Sequence, residues 1–558
     1  MVEETKSNIV DNTKENNINN TSDTPITPNP VAPNIPTNPS TKEDNSKNDS
    51  KNDELSFKLL LKPRILRLPN LTTKNINIRY PLIPPYAFAH IFLDKNNELV
   101  YYVEEPKLND VEAELLNLIM LGLEETLNVE FVGAVNQESA IKYLEKSTKS
   151  ILSELGAKVT KESFEKIMYY VYRNSVGLNK IEPLLRDYYI EDIECNGVGI
   201  PIYIVHRKYE NMRTNIVYES DDELRDFVEK LAQKCGKYIS YAQPLLDAAL
   251  PDGSRVNATY SSDVTTRGPT FTIRKFTEKP LTPTSLISNN TATPEMFAYF
   301  WLAIDNKMNT MVIGETASGK TTFLNAILHF IPSEDRIASI EDTRELNLAH
   351  QNWIPAVTRV SFGTKIGEID LFDLLRETFR QNPDYVVVGE VRGKETFVLF
   401  QGMASGHSCY STFHAGSFST LVRRLETPPI SLPPELVDSL DIVVIMTHQK
   451  QQDKNIRRVR EVDEVLPYDK EKKHNVHVVF KWNPINDSFL MSQESVVLEK
   501  ISSRTGLSVQ ELKQELNFRA ELLRRMTKQG ILDFEDFSRV INDYHRNKES
   551  VLKKFGII

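Results

Sequence analysis

The sequence predicts an α/β protein: a mainly parallel sheet carrying a phosphate loop in the C-terminal half, behind an α+β N-terminal domain and a disordered tail. Three observations carry this. Strand-like and helix-like runs alternate from about residue 295 to Thr447, the pattern of parallel strands with crossover helices. The run NTMVIGETASGKTTFLNAIL sets G-x-x-x-x-G-K-[ST] between an apolar strand and a helix. The stretch TEKPLTPTSLISNNTATPE is rich in Pro, Thr, Ser and Asn and reads as a linker over 277–294, dividing a domain at 55–276 from one at 295–558.

Composition narrows the function classes. A chain of 558 residues has room for about three domains. Its formal net charge of −10 argues against a protein built mainly to grip nucleic acid. Three cysteines without CxxC spacing imply neither a disulfide framework nor a structural zinc site. The N-terminus lacks the basic start and apolar core of a signal peptide, and MFAYFWLAI is far shorter than the roughly 20 residues that span a bilayer. A cytoplasmic protein is expected, working at a membrane only through a partner.

In chain order, residues 1–54 hold no aromatic residue and no apolar period, so they cannot offset ordering entropy and are expected to be disordered. KLLLKPRILRLP, NINIRYPLI, AFAHIFLD and ELVYYVEEP read as strands, followed by helices over about 110–127 and 137–177. In SDDELRDFVEKLAQKC, Ser220 and Glu223 form a capping-box pattern, with Leu224, Phe227, Val228 and Leu231 on one face. SRVNATY and TFTIRKF read as strands flanking a loop that holds Arg267. Arg255 alternates with Val256 and Ala258, and Arg274 with Phe271 and Ile273, so both arginines leave the apolar face of their strands. Residues 455–558 are expected to form a β patch and terminal helices, one opened by a box at Ser508 and Glu511.

The phosphate loop is the most informative stretch. Gly314, Glu315, Thr316, Ala317, Ser318, Gly319, Lys320, Thr321 and Thr322 form a loop at a helix N-terminus, whose backbone amides cradle phosphates. Lys320 is placed to reach the β and γ phosphates and Thr321 to ligate Mg²⁺, so the chain is expected to bind a nucleoside triphosphate. DYVVVGE is a buried-strand run ending in Glu390, with Gly389 where an aspartate is usual, so Glu390 would hold Mg²⁺ through water. RIASIEDTREL offers Glu341, Asp342 and Glu345 to polarise a water, although an acidic helix-capping turn reads the same. In SGHSCYSTFHAG, His407 and Cys409 share a face of a short strand and His414 lies at its end. No further ligands stand at metal spacing, so these histidines are expected to contact the γ phosphate rather than a metal.

The order GETASGKTT, SIEDTREL, VVVGEVRG, SGHSCYSTFHAG resembles the phosphate loop, aspartate box, second acidic box and histidine box of type II and type IV secretion ATPases. Within them, YPLIPPYAFAHI, LVYYVEEPKL and PIYIVHRKYENMRTN are most similar to archaeal type IV pilus and archaellum assembly ATPases. The resemblance implies a recombinase-like ATPase domain, a homohexameric ring, and nucleotide between the two domains. It makes Gly389 the family norm and places His407 and His414 near the nucleotide. Arg255, Arg274 and Arg267 become the N-terminal arginines that reach its phosphates, although Arg267 also reads as an ordinary solvated arginine. The implied activity is Mg²⁺-dependent ATP hydrolysis. In it Glu345, with Glu341 in reserve, orients the water, Glu390 steadies the metal shell, and Arg255 and Arg274 neutralise developing charge. The implied partner is a polytopic membrane platform protein, with no direct nucleic acid. Pilus assembly and archaellum rotation both fit, and a nucleic-acid translocase fits less well.

Overall fold

The computed structural model describes residues 55–60, 68–69, 76–126, 137–277, 279–359, 367–451, 454–469 and 474–558. The tail 1–54 and most of the first expected strand lie outside these described residues.

Two nine-stranded sheets follow one another along the chain. The first holds β1 (Asn77–Ile83), β2 (Ala87–Leu93), β3 (Leu99–Glu104), β4 (Ile190–Cys195), β5 (Pro201–His206), β6 (Glu210–Val217), β7 (Leu245–Ala249), β8 (Arg255–Thr259) and β9 (Thr270–Arg274). Their order is β1-β2-β3-β6-β5-β4-β9-β8-β7, antiparallel throughout except where β3 meets β6. The helix Asp221–Lys234 buries Leu224, Phe227, Val228 and Leu231, and Phe227 packs 5.1 Å from Phe271 of β9. Its capping box is half formed. Ser220 accepts from the Glu223 N–H at 3.1 Å, but Glu223 accepts from Glu219, one residue too early.

The segment expected as a linker carries a helix, Pro283–Ser288, and runs directly into a second, Pro294–Asp305. The residues that read as breakers are helix-start chemistry, used twice. Thr282 and Thr293 are N-caps, and Pro283 and Pro294 take the first helical positions, where a missing N–H costs nothing. Thr282 Oγ1 donates to Leu532 O at 3.0 Å and Thr284 Oγ1 to Ile531 O at 2.7 Å, pinning the segment to the C-terminal helices.

The second sheet holds β10 (Thr310–Gly314), β11 (Ile337–Glu341), β12 (Trp353–Val357), β13 (Tyr385–Val388), β14 (Ser408–Phe413), β15 (Ile442–Gln451), β16 (Lys454–Val465), β17 (Val476–Asn483) and β18 (Ser488–Met491). In the order β12-β11-β13-β14-β10-β15-β16-β17-β18, strands β12 through β15 are parallel and the rest antiparallel. A parallel sheet is covered on both faces, and alternate residues divide accordingly. Val312, Val387 and Val444 face a core built with Phe300, Trp301, Phe323 and Leu523. Met311, Val386 and Val443 face another with Leu399, Phe400 and Leu421. The helix Pro294–Asp305 is buried from Met296 to Ile304, which is why its sequence is apolar all round. Among the described residues, no helix is long and apolar enough to cross a membrane.

Candidate active site

Parallel strands in register deliver their C-terminal ends to one edge, where open α/β sheets bind ligands. Ile313 of β10 pairs with Phe413 of β14, Val388 of β13 with Ser411, and Ile340 of β11 with Val388. The residues just beyond are therefore neighbours: the 315–319 loop after β10, Glu341 closing β11, Glu390 after β13, and His414 after β14.

The loop is held by its own backbone and by β15. At Gly314 a Cβ would lie 2.6 Å from Met446 O and 2.6 Å from Ser318 Oγ, so only glycine fits. Gly319 takes φ +91° as N-cap of the helix Lys320–Leu328, and its fellow loop residue Ala317 takes φ +60°. The first N–H groups of that helix have no acceptor within it, which makes its start an anion site. Ser318 Oγ and Lys320 Nζ both donate to Glu315 O, at 2.8 and 3.1 Å, so the lysine lies folded against its own loop.

A polar relay crosses the loop's open side. Lys320 Nζ stands 3.4 Å from His414 Nδ1, and His414 Nε2 stands 2.8 Å from Glu390 Oε1. Glu390 Oε2 accepts from Arg392. An ammonium cannot accept, so His414 Nδ1 is the acceptor in its contact with Lys320, while Nε2 lies at ion-pair distance from Glu390. Burial first, and then the Lys320 charge, hold His414 below its usual range and keep it neutral at neutral pH. Burial likewise lowers Lys320, against Glu390 and Glu345, which both bear on it.

Glu341 is the most perturbed carboxyl at this edge. It is 2% exposed, and burial pushes it up to about 7. Its Oε1 accepts from the Glu345 and Leu346 N–H groups at 2.9 and 3.0 Å. Its Oε2 is buried without a partner among the described residues, leaving one carboxyl oxygen for a proton or a water. Gly389 is explained here, since a Cβ at that position would lie 3.0 Å from Glu341 Cγ. A larger residue before Glu390 would displace the carboxyl beside it.

The N-terminal arginines separate. Arg255 bonds Asp247 at 2.9 Å, which raises it above its usual range, and Asp342 and Arg392 of the second sheet's edge also bear on it. Arg274 pairs directly across from Arg255 in the sheet but is exposed and bonded to Asp192 at 3.1 Å. Arg267 is exposed, and its backbone carbonyl accepts from Val198 N at 2.9 Å.

The expectation for His407 needs correction. It precedes β14 whereas His414 follows it, so the two histidines stand at opposite ends of one strand, about 20 Å apart. His407 packs instead against Phe379, ring centroids 4.7 Å apart, away from the phosphate loop. Sequence reasoning also missed Arg457 of β16, whose Nε donates to Ala317 O at 3.0 Å, and Arg424, which donates to His414 O. Arg457 comes from a strand distant in sequence from the loop, and Arg424 from the helix Phe418–Glu426 that follows β14.

The arrangement offers a cation for phosphate in Lys320, a neutral histidine between it and a carboxylate, and a buried carboxyl close by. Thr321 lies in the first turn of the phosphate-loop helix and Glu390 follows the next strand but one, a hard-oxygen donor set that suits Mg²⁺ beside nucleotide oxygens.

A family model described as "Type II/IV secretion system protein" matches residues 175–510, and one described as "PilB3-like, C-terminal" matches 486–557. An uncharacterized protein of Methanocaldococcus jannaschii is 36% identical over 488 residues, covering 83% of this chain and 88% of its own. The type IV secretion system protein PtlH of Bordetella pertussis is 32% identical over 270 residues, covering 41% of this chain and 78% of its own. Among solved structures, the VirB11 ATPase of the Brucella suis type IV secretion system, in complex with sulphate, is 25% identical, covers 50% of this chain and 92% of its own, and has a TM-score of 0.26.

Proposed function

The chain belongs to the type II/IV secretion system protein family, and we propose that within it the protein is an ATP hydrolase powering assembly of an archaeal type IV pilus-like filament. The observation that carries the reading is the meeting of Lys320, His414, Glu390 and Glu341 at one edge of the parallel sheet, around a phosphate loop. The pilus side of the reading is supported by the PilB3-like match at 486–557.

In this reading the loop from Gly314 to Thr322 holds the phosphates, and Lys320 leaves Glu315 O to pair with them. Thr321 and Glu390 would hold Mg²⁺, which when bound would supply Lewis-acid stabilisation of the phosphate charge. Glu345, exposed and facing Lys320, orients the attacking water, with Glu341 buried behind it to take or return a proton. His414 passes the state of Lys320 to Glu390. Arg255 reaches across from the first sheet to offset negative charge, and Arg274 joins it after leaving Asp192. Arg267 lies further out. The division into an N-terminal domain at 55–276 and an ATPase domain at 295–558 gives two bodies whose relative motion does the work. The ring is a homohexamer in the cytoplasm, at the inner face of the membrane, against a polytopic platform protein.

The second reading is an archaellum motor, which shares the chemistry and differs in the filament. A gene deletion complemented with wild type or Lys320→Ala, scored for surface filaments and for swimming, separates them. Loss of thin pili with swimming intact is expected. Loss of swimming with pili retained supports the archaellum, and no change in either overturns the filament assignment.

A further inference from the structure

The hairpin of β15 and β16 has a role that neither the phosphate loop nor the acidic boxes account for. Arg457 lies on β16, well after the loop in sequence, yet its Nε donates to Ala317 O at 3.0 Å. Ala317 is a non-glycine residue at φ +60°, a conformation that needs support from its surroundings. Arg457 also lies along Gly319, where a Cβ would come 3.4 Å from Arg457 Cδ. The guanidinium stem thus packs on one end of the loop's tight turn while its Nε–H anchors the carbonyl inside it.

Asn455 is two residues earlier on the same strand, and residues i and i+2 share a face. Its Nδ2 donates to Glu210 Oε1 at the start of β6, in the first sheet. Glu210 itself sits at φ +63° in the turn between β5 and β6. The ladder is regular here, with His448 across from Arg457 and Lys450 across from Asn455. One face of one strand therefore holds the phosphate loop at one point and the N-terminal half of the chain at the next.

Resting on the ATPase reading, we propose that Arg457 is a positioning residue of the phosphate loop, and that β16 couples the loop's geometry to the β5–β6 turn through Asn455 and Glu210. When phosphates reorder the loop, Ala317 O shifts, Arg457 follows, and the Asn455–Glu210 contact tightens or parts. In reverse, the position of the N-terminal half sets how well the loop is formed for nucleotide.

The test is a double-mutant cycle on the full chain, read by equilibrium binding of a fluorescent ATP analogue and by kcat and KM. Arg457→Met keeps the stem and removes the donor. About tenfold weaker binding is expected, appearing in KM with kcat changed less than twofold, because a neutral carbonyl has lost a charge-assisted donor. Arg457→Lys restores a donor and recovers binding to within about threefold. Asn455→Asp sets like charge against Glu210 and weakens binding about threefold in the wild-type background, and not further in Arg457→Met. Wild-type affinity in Arg457→Met, or additive effects of the two substitutions, overturns the coupling while leaving the ATPase reading intact. A wild-type chain that binds no ATP analogue overturns both.

Discussion

Glu341→Gln tests the electrostatics of the site by a route independent of turnover. The carboxyl is 2% exposed and held at about 7 rather than 4.5 by burial. Its folded-state value lies above the unfolded one, so the folded protein binds the extra proton between the two. The stability this contributes is full below the unfolded value and is lost as pH rises through the folded one. Integrating proton binding with those two values gives about 2.5 kcal/mol lost between pH 5 and pH 8 from this group. The amide that replaces the carboxyl in Glu341→Gln is neutral throughout. It can keep an oxygen as acceptor for the Glu345 and Leu346 N–H groups, so the variant lacks this slope. Other titrating groups, including Asp463, also pushed up to about 7, are common to both proteins and cancel in the difference. The assay is urea unfolding followed by tryptophan fluorescence. All three tryptophans, Trp301, Trp353 and Trp482, lie in the second half of the chain, so the signal reports the sheet that holds Glu341. Relative to wild type, the variant should gain about 2–3 kcal/mol on going from pH 5 to pH 8. A difference that stays constant to within about 0.5 kcal/mol would sink the idea, since it would mean that Glu341 is ionised in the folded protein across that range.

Other substitutions test the packing around it. Gly389→Ala places a Cβ 3.0 Å from Glu341 Cγ, and overpacking there should cost about 1–3 kcal/mol in denaturant unfolding and lower kcat more than it raises KM. Ser508→Ala removes the N-cap that accepts from Glu511 at 3.3 Å, and should cost about 1 kcal/mol in urea unfolding without changing ATP turnover. Trp301→Ala empties a fully buried site stacked on Phe330 at 5.1 Å, and should cost about 3–5 kcal/mol by the same measurement.

The parts of the site that lie within one local motif were legible in the sequence. The phosphate loop and the strand ending at Glu341 each announce themselves within ten residues or so, as does the box at Ser508 outside the site. Glu390 was legible too, though the reason for Gly389 was not, because its close neighbour is Glu341 on another strand. His407 shows the opposite failure. It lies just before β14 and His414 just after it, and the two ends of a parallel strand are different environments, of which the C-terminal one carries the phosphate loop. The helix pair at 283–305 was hidden because Thr and Pro serve equally as breakers and as helix starts, and only the partners of Thr282 and Thr284 decide between them. Arg457 was illegible in principle. Its contact follows from strand register across the sheet, and NIRRVREV does not say which arginine faces the loop.

The decisive experiment is ATP hydrolysis by the purified full-length chain with Mg²⁺, beside Lys320→Ala. Wild type should turn over, with phosphate release reduced at least about a hundredfold in the variant, because on the proposed reading the lysine now folded onto the loop is the cation that would meet the phosphates. Equal turnover by the two proteins, or none by wild type, would overturn the ATPase assignment.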